Sequence, residues 1–389
     1  MQRTLLSVGL LLAIALPCHA QGKPNTLSAK EIADGWILLF DGETTFGWGV
    51  AFPNGGKLPR IADGAMDFGQ LGESIVAFSA GFSSFDLEFE YKSPMKGVAS
   101  LRINDKQNKE GLSTGSGFDY VDTWTRFSAQ LKNRDFYFNG KRLRDDPFFK
   151  EDKRPAPPVC AIGFEYRQGP VLVRNIKLRP LNMTPLFSGK DLDGWREIPG
   201  KKSQFAVSDN AINVKDGPGD LQTVGKYKDF ILQLECKSNG KHLNSGIFFR
   251  CRENEYQNGY EAQIFNKFSK EPTQKYLVDE YDPKNNKLLG KKEVMSTAFD
   301  FGTGAIYRRV PARKEMSKDG EWFGMTIVAH GNHLATWVNG VQVTDWYDNR
   351  PKSDNARTGC RLEGGHISIQ GHDPTTDLSF RNFRIAELK

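Results

Sequence analysis

The sequence lacks most of the features that mark common functional classes. Only five cysteines and six histidines occur in 389 residues, and no C-x-x-C spacing offers a zinc site. Basic residues exceed acidic ones by a small margin, 53 against 47, with no polybasic run. Nucleic-acid and membrane-surface roles therefore have little support. No apolar stretch reaches the roughly 20 residues that a membrane-spanning helix needs. The chain has no G-x-S-x-G elbow, P-loop, dinucleotide fingerprint or H-E-x-x-H motif. Serine-triad and thiol chemistry have no candidate, so catalysis here must draw on carboxylate, histidine, tyrosine, arginine or a metal ion.

What is present points to a soluble, strand-rich protein. Apolar residues make up 38% and charged residues 26%, a balance that excludes disorder and membrane embedding. Glycine is abundant, at 39 residues, and aromatics reach 12%. That mixture favours short strands joined by tight turns. Residues 1–20 stand apart: Arg3, the apolar run Leu5 to Leu16, then Pro17-Cys18-His19-Ala20. This is the layout of a secretory signal peptide cleaved after Ala20, and predicts a periplasmic or extracellular protein. Leu16-Pro17 makes Cys18 a poor site for lipid attachment. Of the remaining cysteines, Cys236 and Cys251 would face each other if their strands formed a hairpin. Buried free thiols are the alternative, since a chain this long needs no staples.

Internal repetition organises the rest. Leu39-Phe40-Asp41-Gly42, closed by Gly47-Trp48, recurs as Leu186-Phe187-Ser188-Gly189, closed by Gly194-Trp195. The strand-like segment Phe85 to Ser93 recurs as Phe230 to Ser238, Asn139-Gly140 as Asn339-Gly340, and Arg174-Asn175 as Arg381-Asn382. The order is kept, but the spacing grows by roughly 55 residues between the second and third markers. We expect a signal peptide (1–20), a first copy (21–181) and a second copy (182–389) that carries an insertion between 240 and 330. Alternating Phe85, Leu87, Phe89 and Tyr91 with Asp86, Glu88 and Glu90 is the two-residue period of a half-buried strand. Each Asn-Gly pair suits a type I′ hairpin turn. Ser28 and Glu31 form a capping box for one short helix ending by Gly35. The fold class is all-β, two tandem sandwiches or jelly rolls packed against each other.

Candidate chemistry lies in the second copy, which holds all five histidines beyond residue 20. Strand alternation puts Arg250 on the face of Phe248 and Arg252. It puts Glu261 and Gln263 on one face about 7 Å apart, two residues of rise. His366, Ser368, Gln370 and His372 share a face, with Ile367 and Ile369 on the other. These could line a binding surface or form the wet side of a sheet. The basic segment Arg308 to Lys314 reads as a solvated loop.

Taken together, the segments Leu186 to Trp195, Asn244 to Arg250, Gly259 to Ile264, Gly304-Ala305-Ile306-Tyr307, Gln370 to Asp373 and Phe380-Arg381-Asn382 resemble the 3-keto-disaccharide hydrolase family. The likeness covers essentially the whole second copy; the first lacks the Tyr-Glu-x-Gln and Gly-Ala-x-Tyr segments and looks degenerate. The resemblance implies a concanavalin-A-like jelly roll and cleavage of glycosides oxidised to a ketone at C3, by hydrolysis or by C2-proton abstraction with loss of the C1 aglycone. It also implies a carbohydrate substrate, and for some members a divalent metal ion. By matching positions, Glu261, Tyr307 and His372 would be catalytic, and Arg250, Tyr260 and Gln263 would hold the sugar. Glu261 would serve as base or metal ligand, and Tyr307 or His372 as acid. Two departures remove potential metal ligands: Asn266 stands where many members have aspartate, and Phe301-Gly302 where many have a histidine. Asp279, Glu280 or Asp282 would be the substitutes. The alternatives to an enzyme are a non-catalytic carbohydrate-binding protein and a surface adaptor in which the first copy docks a partner.

Overall fold

Alternation in the sequence becomes alternation in burial: the strand Phe85–Ser93 buries every second side chain. The computed structural model describes residues 23–388 apart from 52–55, 96, 106–110, 118–119, 143–157, 283–284 and 286. The expected signal peptide lies outside these residues. Among the described residues no helix is long and apolar enough to cross a membrane. The one short helix, Ala29–Asp34, is capped as expected, with Ser28 and Glu31 bonding each other's backbone and Gly35 left-handed at φ +90°. Asn139-Gly140 and Asn339-Gly340 have positive φ at both positions, as their hairpin turns require.

The strands form antiparallel sheets in two sandwiches. In residues up to Pro180, one sheet runs Trp48–Val50, Ser74–Phe82, Cys160–Gln168, Val98–Asp105, Gly111–Gly117. Its partner runs Arg60–Ala62, Ala65–Asp67, Leu172–Pro180, Phe85–Ser93, Val121–Lys132, Asp135–Phe138, Lys141–Arg142, with Ile37–Leu38 pairing at the side. From Thr184 the same order returns. The small sheet is Trp195–Glu197, Gly219–Thr223, His366–Gly371, Ser245–Cys251, Tyr260–Ile264. The large sheet is Gln204–Ser208, Ala211–Lys215, Asp377–Glu387, Phe230–Ser238, Phe323–His330, His333–Val338, Val341–Tyr347, with Thr184–Pro185 at the side. The halves differ most in one connection. Residues 118–120 link the small to the large sheet in the first half, whereas residues 265–322 do so in the second. That long connection contains a two-stranded ribbon, Gln274–Tyr281 paired with Leu288–Ser296.

The second large sheet is covered on both faces. Phe230, Leu232, Ile327, Ala329 and Leu334 pack inward against the second small sheet. Ile231, Val328, Ala335 and Trp337 belong instead to the core of the first half. Trp337 is wholly buried, and its Nε1 donates to the Leu38 carbonyl at 2.9 Å. A buried aliphatic or aromatic side chain contributes about 1.5–3 kcal/mol, so this shared core holds the halves together. Cys160, Cys236, Cys251 and Cys360 are buried free thiols. Cys236 and Cys251 cannot face each other, because they lie in different sheets rather than in one hairpin.

Candidate functional site on the second small sheet

The second small sheet has an apolar and a polar face. Leu221, Ile247, Phe249, Ala262 and Ile369 turn into the core. Strand register assembles the other face. One row joins Glu261, Phe248, Ser368 and Gln222; the next joins Gln263 to Gly246 and Gln370 to Asp220. All but Gly246 carry buried side chains, because residues 252–258, 299–309 and 357 lie over them. Gly246 keeps the floor open: a Cβ there would come 2.8 Å from Glu261 Oε1.

The long connection brings the two motifs of the second half together. Gly304 to Tyr307 runs along the edge of the Glu261 strand, with Gln263 N–H donating to Ala305 O at 3.0 Å and Tyr307 N–H to Glu261 O at 2.9 Å. Tyr307, Arg308, Arg309 and Arg357 then line a cleft of about 220 Å³ over Glu261. Among the described residues no group hydrogen-bonds the Glu261 carboxyl. Burial, with Asp300 and Asp220 adding repulsion, pushes it up to about 8 against the pull of Arg357 and Arg308. The Tyr307 hydroxyl is also raised, by burial and by Asp300, and stays protonated at neutral pH. Asp220 is pushed up to about 7 by burial, opposed by the Gln257 backbone N–H and Lys201. Two carboxyls poised near neutrality can give or take a proton under working conditions.

Not every expected site residue is at this site. Gln263 is, but its amide nitrogen donates to the Asp300 carbonyl and carboxylate, both at 3.1 Å. Together with Asn244, which donates to Asp300 at 2.8 Å, it positions that carboxylate rather than a sugar. Tyr260 alternates with Glu261 and so points into the core. There it stacks on Phe249, donates to Asp348 at 2.7 Å and accepts the Arg361 N–H at 2.8 Å. Arg250 is the clearest correction. Its strand bulges between Phe248 and Cys251, with Arg250 at φ +52°, so the alternation that placed it beside Phe248 breaks. Its wholly buried guanidinium donates to the carbonyls of Lys228, Gly331 and Arg361 and to Asp229. No sugar contact is left for it. His372 lies past the end of its strand, paired with Asp373 at 2.8 Å instead of with Glu261. His366 ends the same strand, held by the Thr223 carbonyl at 2.7 Å.

Sequence reasoning missed Asp220, Asp300, Arg308 and Arg357 as site residues. Asp300 and Arg308 sit at positive φ on loops, and no periodic signal marks such positions. Asp220 was discoverable only through the register that sets it opposite Gln370.

Metal ligation does not fit these side chains. Among the described residues no three of His, Cys, Asp or Glu form a metal-holding group. Asp300 is held by Asn244 and Gln263, and no imidazole joins Glu261. Asn266 is engaged as a structural amide, accepting from Thr303 and Ser317 and donating to Asp319. Asp279 and Glu280 lie on the ribbon and Asp282 just beyond its first strand. No step below is routed through a metal.

A β-sandwich with a buried polar face, uncommitted carboxyls and a lining of arginine and tyrosine is the class of scaffold that handles carbohydrate. Residues 182–386, just over half the chain, match the family described as 3-keto-alpha-glucoside-1,2-lyase-like domain, and the chain belongs to that family. It is similar to a 3-keto-disaccharide hydrolase of Bacteroides thetaiotaomicron, 28% identical over 238 residues, covering 52% of this chain and 77% of that one. Among solved structures it is similar to a Parabacteroides distasonis protein described as a candidate glycosyl hydrolase. That match has 22% identity and a TM-score of 0.40, covering 53% of this chain and 94% of the other. A second is a carbohydrate-binding module from Bacillus subtilis, with 15% identity and a TM-score of 0.31, covering 52% and 95%.

Proposed function

We propose that the protein is an exported enzyme that cleaves glycosides carrying a ketone at C3 of the sugar. The observation that carries this reading is the Glu261 carboxyl, buried, free of hydrogen bonds and flanked by Tyr307, Arg308 and Arg357. Family membership and the name of the Bacteroides relative support it. Export rests on the signal-peptide pattern of residues 1–20.

A C3 ketone acidifies the C2–H bond. Glu261 carboxylate takes that proton, and the electrons move onto the C3 oxygen as an enolate. Arg308 and Arg357, both close enough to act on Glu261, stabilise the negative oxygen. The enolate then collapses: the C1–O bond breaks, a C1=C2 double bond forms, and Tyr307 gives its proton to the departing oxygen. Water added across the double bond returns a proton to C2 and completes a net hydrolysis. Asp300 holds Gln263 and Asn244 in place and keeps the Glu261 carboxyl basic enough for the first step.

The test is release of a chromogenic aglycone from a 3-keto-glucoside. Wild type is expected to release it, and Glu261→Gln to be slower by about 10²–10⁴-fold. Undiminished release by Glu261→Gln would remove the central role. Saturable binding of the sugar without release by wild type would instead make this a carbohydrate-binding protein.

A further inference from the structure

The polar face extends well beyond the Glu261 cleft, and its far part is built but unfilled. Gln370 and Ser368 are almost wholly inaccessible, as is Asp220. Yet both amide atoms of Gln370, the Ser368 hydroxyl and Asp220 Oδ1 make no hydrogen bond of sound geometry, although Ser368 lies beside Asp220 and Gln370 beside the Tyr256 hydroxyl. Buried polar atoms are nearly always paired in native proteins, and a cluster of exceptions calls for a missing partner. The only backbone bond to this carboxyl is from Gln257 N–H to Asp220 Oδ2, at 3.0 Å. The Asp220 strand lies three strand spacings from the Glu261 strand, about 14 Å, which is wider than one six-membered ring. The two regions are continuous. Tyr256 feels the charge of both Asp220 and Glu261, and the missing side chain at Gly246 leaves the floor clear between Glu261 and Gln370.

We propose that Asp220, Tyr256, Ser368 and Gln370 form a second subsite that binds the leaving half of the substrate through its hydroxyl groups, so that the aglycone is itself a hydroxyl-rich ring. The inference rests on the reading of Glu261 as the cleavage site. Gln370 presents a donor and an acceptor side by side, the pair that two neighbouring ring hydroxyls engage. Asp220 Oδ1 accepts a third hydroxyl, and Ser368 can give or accept. Phe248, wholly buried in the row between Glu261 and Ser368, supplies an apolar base under the ring. An aromatic or alkyl leaving group would leave these polar atoms unmet, so the subsite selects for a sugar or polyol in that position.

The experiment compares two substrates on the full mature chain: a 3-keto-glucoside with a nitrophenyl leaving group, and a 3-keto-disaccharide with glucose as leaving group. Gln370→Leu, which keeps size and removes both polar atoms, is expected to lower kcat/KM for the disaccharide at least tenfold more than for the nitrophenyl substrate. Its Tm is expected to equal or exceed wild type, because unpaired buried groups have been removed. Ser368→Ala should shift the same ratio in the same direction by a smaller factor. Equal losses on both substrates, or none, would overturn the subsite. A separate titration of wild type with glucose, followed by ligand-observed NMR, reads the subsite without relying on cleavage. Saturable binding that Gln370→Leu weakens supports it, and no binding means the polar atoms hold ordered water only. Failure of wild type to cleave either substrate would count against the Glu261 reading, while the glucose titration would still decide the subsite.

Discussion

The two small sheets share a strand order and differ in how they treat charge. On the outer face of the first, Ser100, Ala161, Gly163, Ile75 and Ala77 are small or apolar, and the charges of Arg102 and Glu165 meet at 2.9 Å. On the matching face of the second, Asp220 and Glu261 are buried without ion-pair partners, and Ser368 and Gln370 lack hydrogen bonds. Charge that pairs internally stabilises a sheet modestly. Charge that is desolvated and unpaired destabilises it and becomes chemically available. The difference follows from one connection. In the second half residues 265–322 bring Tyr307 and Arg308 against the face and shut out water, whereas in the first half residues 118–120 complete the link alone.

The same substitution in each half sharpens this contrast. Glu261→Gln should cost about 10²–10⁴-fold in aglycone release, whereas Glu165→Gln should change it less than about twofold, a contrast steady-state kinetics can read. Stability should be hit hardest at Arg250, where Arg250→Met leaves the Asp229 carboxylate and three backbone carbonyls without their buried donor. We expect a loss of about 3–5 kcal/mol in denaturant unfolding. Glu261→Gln should do the opposite and raise stability. Folded Glu261 holds its proton up to about pH 8 against an ordinary value of 4.5. The wild type therefore loses stability as pH rises from 4.5 to 8, and the gain from the amide should be near zero below that window and complete above it. A gain independent of pH would contradict the assignment. In the same window kcat/KM should climb with pH towards a plateau above about 8, as the carboxylate form accumulates. The smallest effect is expected for Glu165→Gln on stability, a loss of about 1–2 kcal/mol from the half-buried pair with Arg102.

Much of the fold was legible in the sequence because strand alternation and Asn-Gly turns are local signals. The segment Phe85 to Ser93 and both hairpin turns needed no tertiary information. The candidate site was legible only in part. Glu261 and Tyr307 were visible through their motifs, and backbone pairing between those motifs put them side by side. Arg250 was misplaced because a bulge reverses the face of every residue after it, and nothing in Phe249-Arg250-Cys251 announces one. Tyr260 was misread for a simpler reason: it neighbours Glu261 in sequence, and neighbours on a strand face opposite ways. Asp220 sits in a short polar strand that reads like a loop, and its meaning comes from partners 150 residues away, Gln370 above all. Arg308 looked like solvated charge because its role depends on the loop folding back over Glu261.

The most direct test of the Glu261 account is to run cleavage of a 3-keto-glucoside in heavy water and weigh the released sugar. Proton abstraction and return at C2 predict one solvent deuterium on C2 of the sugar for each aglycone released, with both processes slowed together in Glu261→Gln. Aglycone release by wild type with no deuterium at C2 would contradict the account.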